Sequence, residues 1–428
     1  MNRVEMSKLD AVERRILGEV YSSSEAMENL TVLCDDHGGR FAGTPENRAA
    51  AEFLLGKFEE YGFEDPHLES FRFKGCEVGS SKLEILEPIE KEVSCLTLPM
   101  TVSGEAEADL VFIDGETKMD TGELEGKVVM GLTRPPFIRG SETDVSGFIW
   151  THPYPAMGPP TGCIHSTIPA VSVKYEDGEM LKRLLRRDGE VRIRIQAECD
   201  IFERESWNVC GEIPGNGASD EFILFGGHYD GHEIAQAAFD CGAPCTAVTE
   251  MGRILNSERE HLDRSVRIVL FSSEEFGCWG SKDYVERHAD EMTRLRFTYQ
   301  LDCCGGGGTQ MVTTDYWPRL ESFYRRLASD LDMPIPHDQR RGPGDSRAFF
   351  DLGIPTGSII DQRKPGMMEL LKTYRHTEYD TLDKIDPRSL REAVAIGAVS
   401  GYRMVNEGDW PEHRTKEDVE EIRKIARI

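Results

Sequence analysis

Long apolar runs are missing from this 428-residue sequence, and so is an excess of positive charge. No stretch approaches the roughly 20 apolar residues of a membrane-spanning helix, so we expect none. The first ten residues carry charges where a signal peptide has its apolar core, which favours a soluble, cytoplasmic protein. The 77 acidic and 50 basic residues give a formal net charge of −27. Nucleic acids and anionic membranes bind basic surfaces, so we expect neither as a partner.

The 11 cysteines form no Cys-x-x-Cys pair, which argues against a zinc ribbon and against a disulfide framework. Free cysteine is most often a small buried hydrophobe, and we expect that role rather than metal ligation for Cys241, Cys245, Cys303 and Cys304. The run Gly305 to Gly308 lacks the Lys-Ser/Thr of a phosphate-binding loop, so nucleotide binding is a poor interpretation.

The length suggests two domains, or one domain with a large insertion. Apolar runs alternating with helical periodicity predict an α/β fold on both sides of a middle region with a different pattern. That region, residues 95–203, combines short strand patterns with Pro- and Gly-rich stretches and predicts an inserted, mostly β domain. The predicted domains are therefore a main domain formed by residues 1–94 and 204–428, and the insertion 95–203.

Residues with metal-binding side chains follow three apolar runs that predict buried strands. These runs are Phe222 to Phe225, Ser265 to Phe271 and Phe297 to Leu301. Ligands of open α/β sheets gather at the carboxyl ends of the strands, so these side chains are expected to meet. They are His228, Asp230 and Asp240 after the first run, Glu274 and Glu275 after the second, and Asp302 after the third, with His376 in a later polar loop.

Each of these residues has an ordinary explanation on its own. A histidine at a strand end is usually hydrogen-bonded, an Asp before a helix such as Asp240 is usually a cap, and Glu274-Glu275 is typical of exposed charge. These explanations do not account for the repeated occurrence of such residues at the ends of predicted strands. Imidazole and carboxylate ligands suit Zn²⁺, or Co²⁺ and Mn²⁺. Two such ions sharing a carboxylate would leave one Glu as a base.

The order His228-Tyr-Asp230, Asp240, Glu274-Glu275, Asp302, His376 resembles the dinuclear-zinc metallopeptidases that include bacterial leucyl aminopeptidases, carboxypeptidase Q and glutamate carboxypeptidase. Gly38 to Phe63 is similar to their N-terminal R-x-x-G-T segment. The insertion resembles a protease-associated domain at Gly126-Lys-Val-Val and Ile168-Pro-Ala-Val-Ser-Val. The resemblance implies a three-layer α/β zinc-exopeptidase (phosphorylase/hydrolase-like) domain with a central mixed sheet, plus this mostly β insertion.

The resemblance also implies a role for each site residue. Asp240 would bridge two zinc ions, with His228 and Asp302 on one ion and Glu275 and His376 on the other. Glu274 would be the general base towards a water that bridges the metals, and Asp230 would orient His228. The bond between Asp240 and Cys241 would be cis, and adjacent catalytic Glu residues require an irregular backbone after Phe271. His232 and Glu233 receive no role.

The expected function is a zinc-dependent exopeptidase that hydrolyses short peptides or dipeptides. Two alternatives stay open: a single-zinc, glutaminyl-cyclase-like acyltransferase, and a non-catalytic binding relative. Cys241 to Cys245 replaces the relatives' Asp-Asp/Asn-x-x-Ser-Gly, which leaves the substrate preference open. Arg340 and Arg341 stand where relatives contact substrate and are either carboxylate-binding or surface residues. Short peptides are the expected partners, and the resemblance implies a homodimer.

Overall fold

The computed structural model describes residues 9–114, 121–135, 138, 144–339, 344–362 and 374–426. The chain divides into two compact units. The first unit comprises Met1–Phe71, Glu205–Met368 and Thr381–Ile428, and the second comprises Arg72–Arg204 and Glu369–Asp380. The second unit therefore includes residues on both sides of the predicted insertion 95–203, and it also contains His376.

The described residues form ten α-helices and 14 strands. The helices are Ala11–Ser22 (α1), Ala26–Asp35 (α2), Pro45–Glu60 (α3), Tyr175–Asp188 (α4), Ala243–Ser257 (α5), Trp279–Arg287 (α6), Arg319–Leu331 (α7), Ser346–Phe350 (α8), Pro387–Asn406 (α9) and Lys416–Ala426 (α10). The strands are Glu64–Glu87 (β1), Lys91–Val93 (β2), Leu96–Thr97 (β3), Gly104–Ile113 (β4), Val128–Gly131 (β5), Gly147–Thr151 (β6), Ala170–Val173 (β7), Arg192–Ile213 (β8), Phe222–His228 (β9), Ser265–Phe271 (β10), Leu295–Leu301 (β11), Gln310–Thr314 (β12), His337–Asp338 (β13) and Thr356–Asp361 (β14). None of the described helices is long and apolar enough to cross a membrane.

The sheet of the first unit is mixed, with strand order β13-β12-β14-β11-β9-β10-β8. Its centre, β14-β11-β9-β10, is parallel, whereas β12 and β8 pair antiparallel with β14 and β10. In β9 every residue from Phe222 to His228 is buried, as expected for a parallel strand covered on both faces. The register pairs Phe271 with His228 and Leu301 with Gly227, so the three strands end at one level.

Helices cover both faces of this sheet. Phe222 and Leu224 belong to a cluster with Tyr284 of α6 and Phe349 of α8. On the opposite face, α5 packs against β9 and against α9, and Phe225 lies close to Gly401 of α9. Because alternate residues of a strand face opposite sides, this places the strand between two helical layers. The expected three-layer α/β domain with a central mixed sheet is confirmed.

The second unit is built on its own sheet, in which β4, β5, β6 and β7 are parallel neighbours. The residues of β8 that precede Arg204 pair antiparallel with β4, and β3 pairs antiparallel with β7. Helix α4 buries Leu181 and Leu184 against this sheet. The assignment of this unit as a protease-associated domain stays a prediction.

Several elements differ from the sequence patterns. The sequence patterns predict no helix at α1 and no strand at β6 or β12. They predict two short strands, Leu68 to Phe73 and Leu83 to Leu86, where the structure has the single strand β1. They also predict one helix from Ser281 to Arg294, whereas α6 ends at Arg287 and a 3-10 turn follows at Met292–Arg294. Alternation of apolar and polar residues identifies the apolar stretches of a long strand more readily than its exposed middle. The sequence pattern therefore predicts two strands in place of β1.

Candidate metal centre

The carboxyl ends of β9, β10 and β11 carry the predicted site residues of the first unit. His228 is the last residue of β9, the Glu274-Glu275 pair follows β10, and Asp302 follows β11 directly. Since the register aligns the three strand ends, residues far apart in sequence meet at one edge of the sheet.

His228, Asp240 and Asp302 form a buried cluster whose ligand atoms all lie within 4.8 Å of one another. His228 Nε2 lies 3.3 Å from Asp240 Oδ1. The side chains of both residues are about 1% exposed, and Asp302 is 4% exposed. One imidazole and two carboxylates at this spacing form a typical ligand set for a divalent cation.

Asp230 connects His228 to the segment that follows β10. Its Oδ1 lies 3.4 Å from His228 Nδ1, and the carbonyl of Asp230 lies 3.1 Å from the same nitrogen. The two carboxylate oxygens also accept hydrogen bonds from the backbone N–H groups of Glu274, at 3.2 Å, and Glu275, at 3.4 Å. One fully buried carboxylate therefore fixes both the ring of His228 and the position of the two glutamates.

The backbone between β10 and α6 is irregular, as predicted for two adjacent functional glutamates. Ser273 has a φ of 63° and Gly277 a φ of 115°, and the carbonyl of Glu274 accepts hydrogen bonds from the N–H groups of Gly277 and Cys278. Strand alternation is thereby lost after Phe271, which allows both glutamates to serve the same site.

Glu274 lies where a general base is expected. Burial raises the pKa of its carboxyl well above the usual range, because the charged form is poorly solvated there. The imidazole of His228 opposes this shift, and the carboxylates of Glu275 and Asp302 add to it. Gly344 packs against Glu274: a Cβ built on Gly344 would lie 2.5 Å from Glu274 Oε1 and 3.3 Å from Asp302 Oδ2.

Glu275 has a partner that the sequence did not indicate. Its Oε2 lies 3.0 Å from Nε2 of His232, and both side chains are at most 5% exposed. His232, which receives no role from the sequence, therefore contacts a predicted ligand, whereas Glu233 is exposed. The ring of Phe41 covers His232 at a centroid distance of 6.0 Å.

Asp240 lies in an irregular turn, Ala238–Gly242, immediately before α5, and its φ of −122° and ψ of 85° are not helical. The bond between Asp240 and Cys241 is cis, as the resemblance implied. The Cys241 thiol donates to the carbonyl of Leu301 at 3.6 Å, and the Cys303 thiol donates to Asp302 Oδ1 at 2.8 Å. Cys241, Cys245 and Cys304 are fully buried, in agreement with the expected role as small hydrophobes.

Arg40 holds the loop between His228 and Asp240. Its guanidinium is 1% exposed and donates to five backbone carbonyls. Three of these belong to the loop, namely Tyr229, Gln236 and Ala237. Arg40 belongs to the segment that resembles R-x-x-G-T. This segment therefore positions the backbone of the loop that carries the predicted ligands.

Three predicted residues remain, namely His376, Arg340 and Arg341. His376 belongs to the second unit, where its Nδ1 lies 3.2 Å from the carbonyl of Thr161 and its own carbonyl accepts from the Thr161 N–H at 2.8 Å. Its assignment as a metal ligand stays a prediction. Arg340 and Arg341 lie outside the described residues.

Asp345 is a further carboxylate that the sequence analysis passed over. It is 3% exposed, and burial raises the pKa of its side chain to about 7, with His228 opposing and Asp230 and Asp302 adding to the shift. Its own stretch of sequence is rich in glycine and charge and carries no signal of this burial.

The residues present fit a bound zinc ion. Oδ2 of Asp302 is buried, and no donor among the described residues lies within hydrogen-bonding distance of it. A buried carboxylate oxygen without a partner is costly, and a cation removes that cost. The donors are nitrogen and oxygen atoms only, a combination that zinc binds in catalytic sites.

Comparison with known proteins identifies similar peptidases. Residues 208–399 match the model of Peptidase family M28. Carboxypeptidase Q of Mus musculus is 23% identical over 410 residues, which covers 89% of this chain and 85% of the mouse protein.

Solved structures show the same fold. A Peptidase M28 precursor from Shewanella amazonensis superposes with a TM-score of 0.82 at 23% identity, covering 94% of this chain and 98% of that one. A zinc aminopeptidase from Bacillus subtilis gives a TM-score of 0.72 at 19% identity, with 89% and 94% of the two chains covered.

Proposed function

We propose that this chain is a zinc-dependent exopeptidase acting on short peptides or dipeptides, with Glu274 as general base. The match of residues 208–399 to the model of Peptidase family M28 supports this proposal. The mouse relative is named a carboxypeptidase and the Bacillus structure a zinc aminopeptidase. Both names denote exopeptidases and the second names zinc, which supports a metallo-exopeptidase here and leaves open which end of the peptide is attacked.

The observation that carries the proposal is the cluster of His228, Asp240 and Asp302, with ligand atoms within 4.8 Å of one another at the carboxyl edge of the sheet. Two zinc ions are proposed, with Asp240 shared between them. Glu275 is proposed for the second ion, and the participation of His376 is the prediction made from the sequence.

Different residues of the chain have different roles in the proposed hydrolysis. Zinc, when bound, acts as a Lewis acid towards the scissile carbonyl and lowers the pKa of water. Glu274 takes a proton from the attacking water and passes it to the departing amine, and the new acyl–oxygen bond replaces the carbon–nitrogen bond. Asp230 keeps Glu274 in reach through its hydrogen bond to the Glu274 N–H. Buried Asp345 adds negative charge beside this carboxylate, which favours the proton-bound form of Glu274.

Metal removal and selective blocking of the peptide ends test this proposal. The chelated protein is expected to lose peptidase activity and to recover it on addition of zinc. Matched tripeptides are compared with either the amino end acetylated or the carboxyl end amidated. The two sets should differ in their rates of cleavage, because an exopeptidase needs one free end. Cleavage of a peptide blocked at both ends, or full activity without metal, would contradict it. Cyclisation of N-terminal Gln peptides with one bound zinc would support the acyltransferase instead.

Gly344→Ala is expected to lower kcat at least tenfold. The added Cβ would lie 2.5 Å from Glu274 Oε1, so the base must move away from its position, and an ångström of misplacement can cost about 10²-fold. Gly344 has a φ of +62°, which adds about 1–2 kcal/mol of backbone strain for Ala. Gly126→Ala is the matched control, because Gly126 has a φ of +67° and no atom within 4 Å of the added Cβ. Steady-state kinetics and melting temperatures of both variants separate the effects: equal losses of kcat would contradict the proposed contact.

A further inference from the structure

A second group of metal-binding side chains lies in the first unit, away from the strand ends that carry the site above. His67 and Glu69 are two residues apart on β1 and thus on one face of the strand. Cys210 is on β8, the strand paired with β1. Ligand atoms of these three residues all lie within 4.8 Å of one another.

His288 joins this group from the end of α6. Its Nε2 lies 2.8 Å from Glu69 Oε1, the same oxygen that lies 3.3 Å from Nε2 of His67. His288 is the residue that ends α6, and the C-terminus of a helix favours a positive charge. The ring of Tyr284 contacts the His288 ring at a centroid distance of 4.3 Å, which holds the imidazole in place.

Both imidazoles have the hydrogen bonds that are typical of metal-bound histidines. Nδ1 of His67 lies 2.7 Å from the carbonyl of Asp65, and Nδ1 of His288 lies 3.1 Å from Glu291 Oε2. An acceptor at Nδ1 keeps the proton on that nitrogen and directs the lone pair of Nε2 towards the centre. The Nε2 atoms of both rings face Oε1 of Glu69, so a cation bound beside Glu69 would be within reach of both rings.

Glu69 gives the independent sign that a ligand belongs here. The residue is 7% exposed, yet its Oε2 accepts no hydrogen bond from any described residue. The nearest cation is Arg287, whose Nε is 3.8 Å away, but that guanidinium is bonded to Asp283 and to the carbonyl of Ser70. A buried carboxylate oxygen without a donor is destabilising, and a bound cation would offset that cost.

The surrounding cavity has room for an ion and the right charge. It has a volume of about 140 Å³, and its walls include the carboxylates of Glu64, Asp65, Glu212 and Glu291. Arg267, the cation in the wall, is paired with Glu212 and Glu291. His67 is the most exposed member of the group, with 42% of its side chain accessible, and marks the path of entry.

We propose that His67, Glu69, Cys210 and His288 form a structural zinc site, distinct from the catalytic centre. Two nitrogens, one oxygen and one sulfur make a four-ligand set suited to tetrahedral zinc. Bonds of about 2.0–2.3 Å imply ligand separations of roughly 3.3–3.7 Å. The ligand atoms of His67, Glu69 and Cys210, which lie within 4.8 Å of one another, would therefore approach by about 1 Å, and His288 Nε2 is already 2.8 Å from Glu69 Oε1. On binding, zinc replaces the proton of the Cys210 thiol, which leaves to solvent. The ion would join β1, β8 and the end of α6.

Cobalt substitution distinguishes this site from the catalytic one. The predicted catalytic ligands are nitrogen and oxygen atoms, so a thiolate-to-cobalt charge-transfer band in the near ultraviolet reports on Cys210. Metal-free wild type loaded with Co²⁺ is expected to show the band, and Cys210→Ser is expected to lose it. Cys303→Ser is the control, since that thiol contacts Asp302 of the catalytic centre. It should keep the band.

Metal content gives a second readout that does not depend on the spectrum. After equilibrium dialysis with zinc, Cys210→Ser and His67→Gln should each contain one ion fewer per chain than wild type, with peptidase activity retained. His67 is partly exposed, so His67→Gln keeps the site testable should Cys210→Ser fold poorly. Absence of the band in wild type, its persistence in Cys210→Ser, or its loss in Cys303→Ser would overturn the proposal.

These outcomes are independent of the proposed peptidase function. A missing band with normal activity contradicts only the structural site. A normal band without peptidase activity contradicts only the function.

Discussion

Glu274→Gln is expected to lower kcat by about 10²–10⁴-fold, the range that a positioned general base contributes. Glutamine keeps the shape of the side chain but cannot accept the proton of water. KM and the metal content are expected to change little, because the cluster of His228, Asp240 and Asp302 stays intact. Steady-state kinetics on a cleaved peptide, together with metal analysis of the same samples, check the prediction.

Stability provides a second check on Glu274. Burial raises the pKa of its carboxyl, so above the unfolded-state pKa the charged form destabilises the folded protein. A neutral Gln is therefore expected not to lower the melting temperature of the metal-free protein. Glu286→Gln, at an exposed position of α6, is the matched control and should leave kcat unchanged. Near-native activity of Glu274→Gln with full metal content would exclude this residue as the base.

Arg40→Met is expected to destabilise the protein by more than about 3 kcal/mol. The substitution removes the guanidinium donor from five backbone carbonyls. The carbonyl of Ala237 still accepts from the N–H of Gly242, whereas each buried acceptor that is left unsatisfied costs about 1–3 kcal/mol. Arg40→Lys retains the charge but not the planar fork of donors, so an intermediate loss is expected. Activity should fall with it, because Tyr229, Gln236 and Ala237 belong to the loop that leads to Asp240. Urea unfolding with comparison of midpoints and slopes measures the effect.

The control for Arg40 is Arg14→Met, which removes an exposed guanidinium from α1. Surface changes of this kind usually alter stability by no more than about 0.5 kcal/mol. If Arg40→Met were as stable as Arg14→Met, the loop would have other supports and the role of Arg40 would be wrong.

Residues that follow apolar runs directly were predictable from the sequence. His228 and Asp302 stand at the ends of β9 and β11, where the carboxyl edge of a parallel sheet collects ligands. The irregular turn at Glu274-Glu275 followed from a local conflict, because neighbours on a strand point in opposite directions. These inferences need only the chain near each strand.

Residues whose role depends on packing were not predictable in this way. The pairing of His232 with Glu275 and the approach of Gly344 to Glu274 join segments far apart in sequence. Asp345 gives no sign of burial in its own loop, which is rich in glycine and charge. The long strand β1 was divided in two because its exposed middle carries no periodic pattern of its own. Sequence periodicity reports on local faces, whereas these features arise from tertiary contacts.

The aligned ends of β9, β10 and β11 determine where the site residues lie. Phe271 pairs with His228, and Leu301 pairs with Gly227. The position of each functional side chain therefore depends on the number of residues between it and the paired end of its strand. Insertion or deletion of one residue within β10 would shift Glu274 by about 3.3 Å and turn the flanking side chains to the other face. Substitutions in these strands that keep an apolar side chain are therefore far better tolerated than any change in their length.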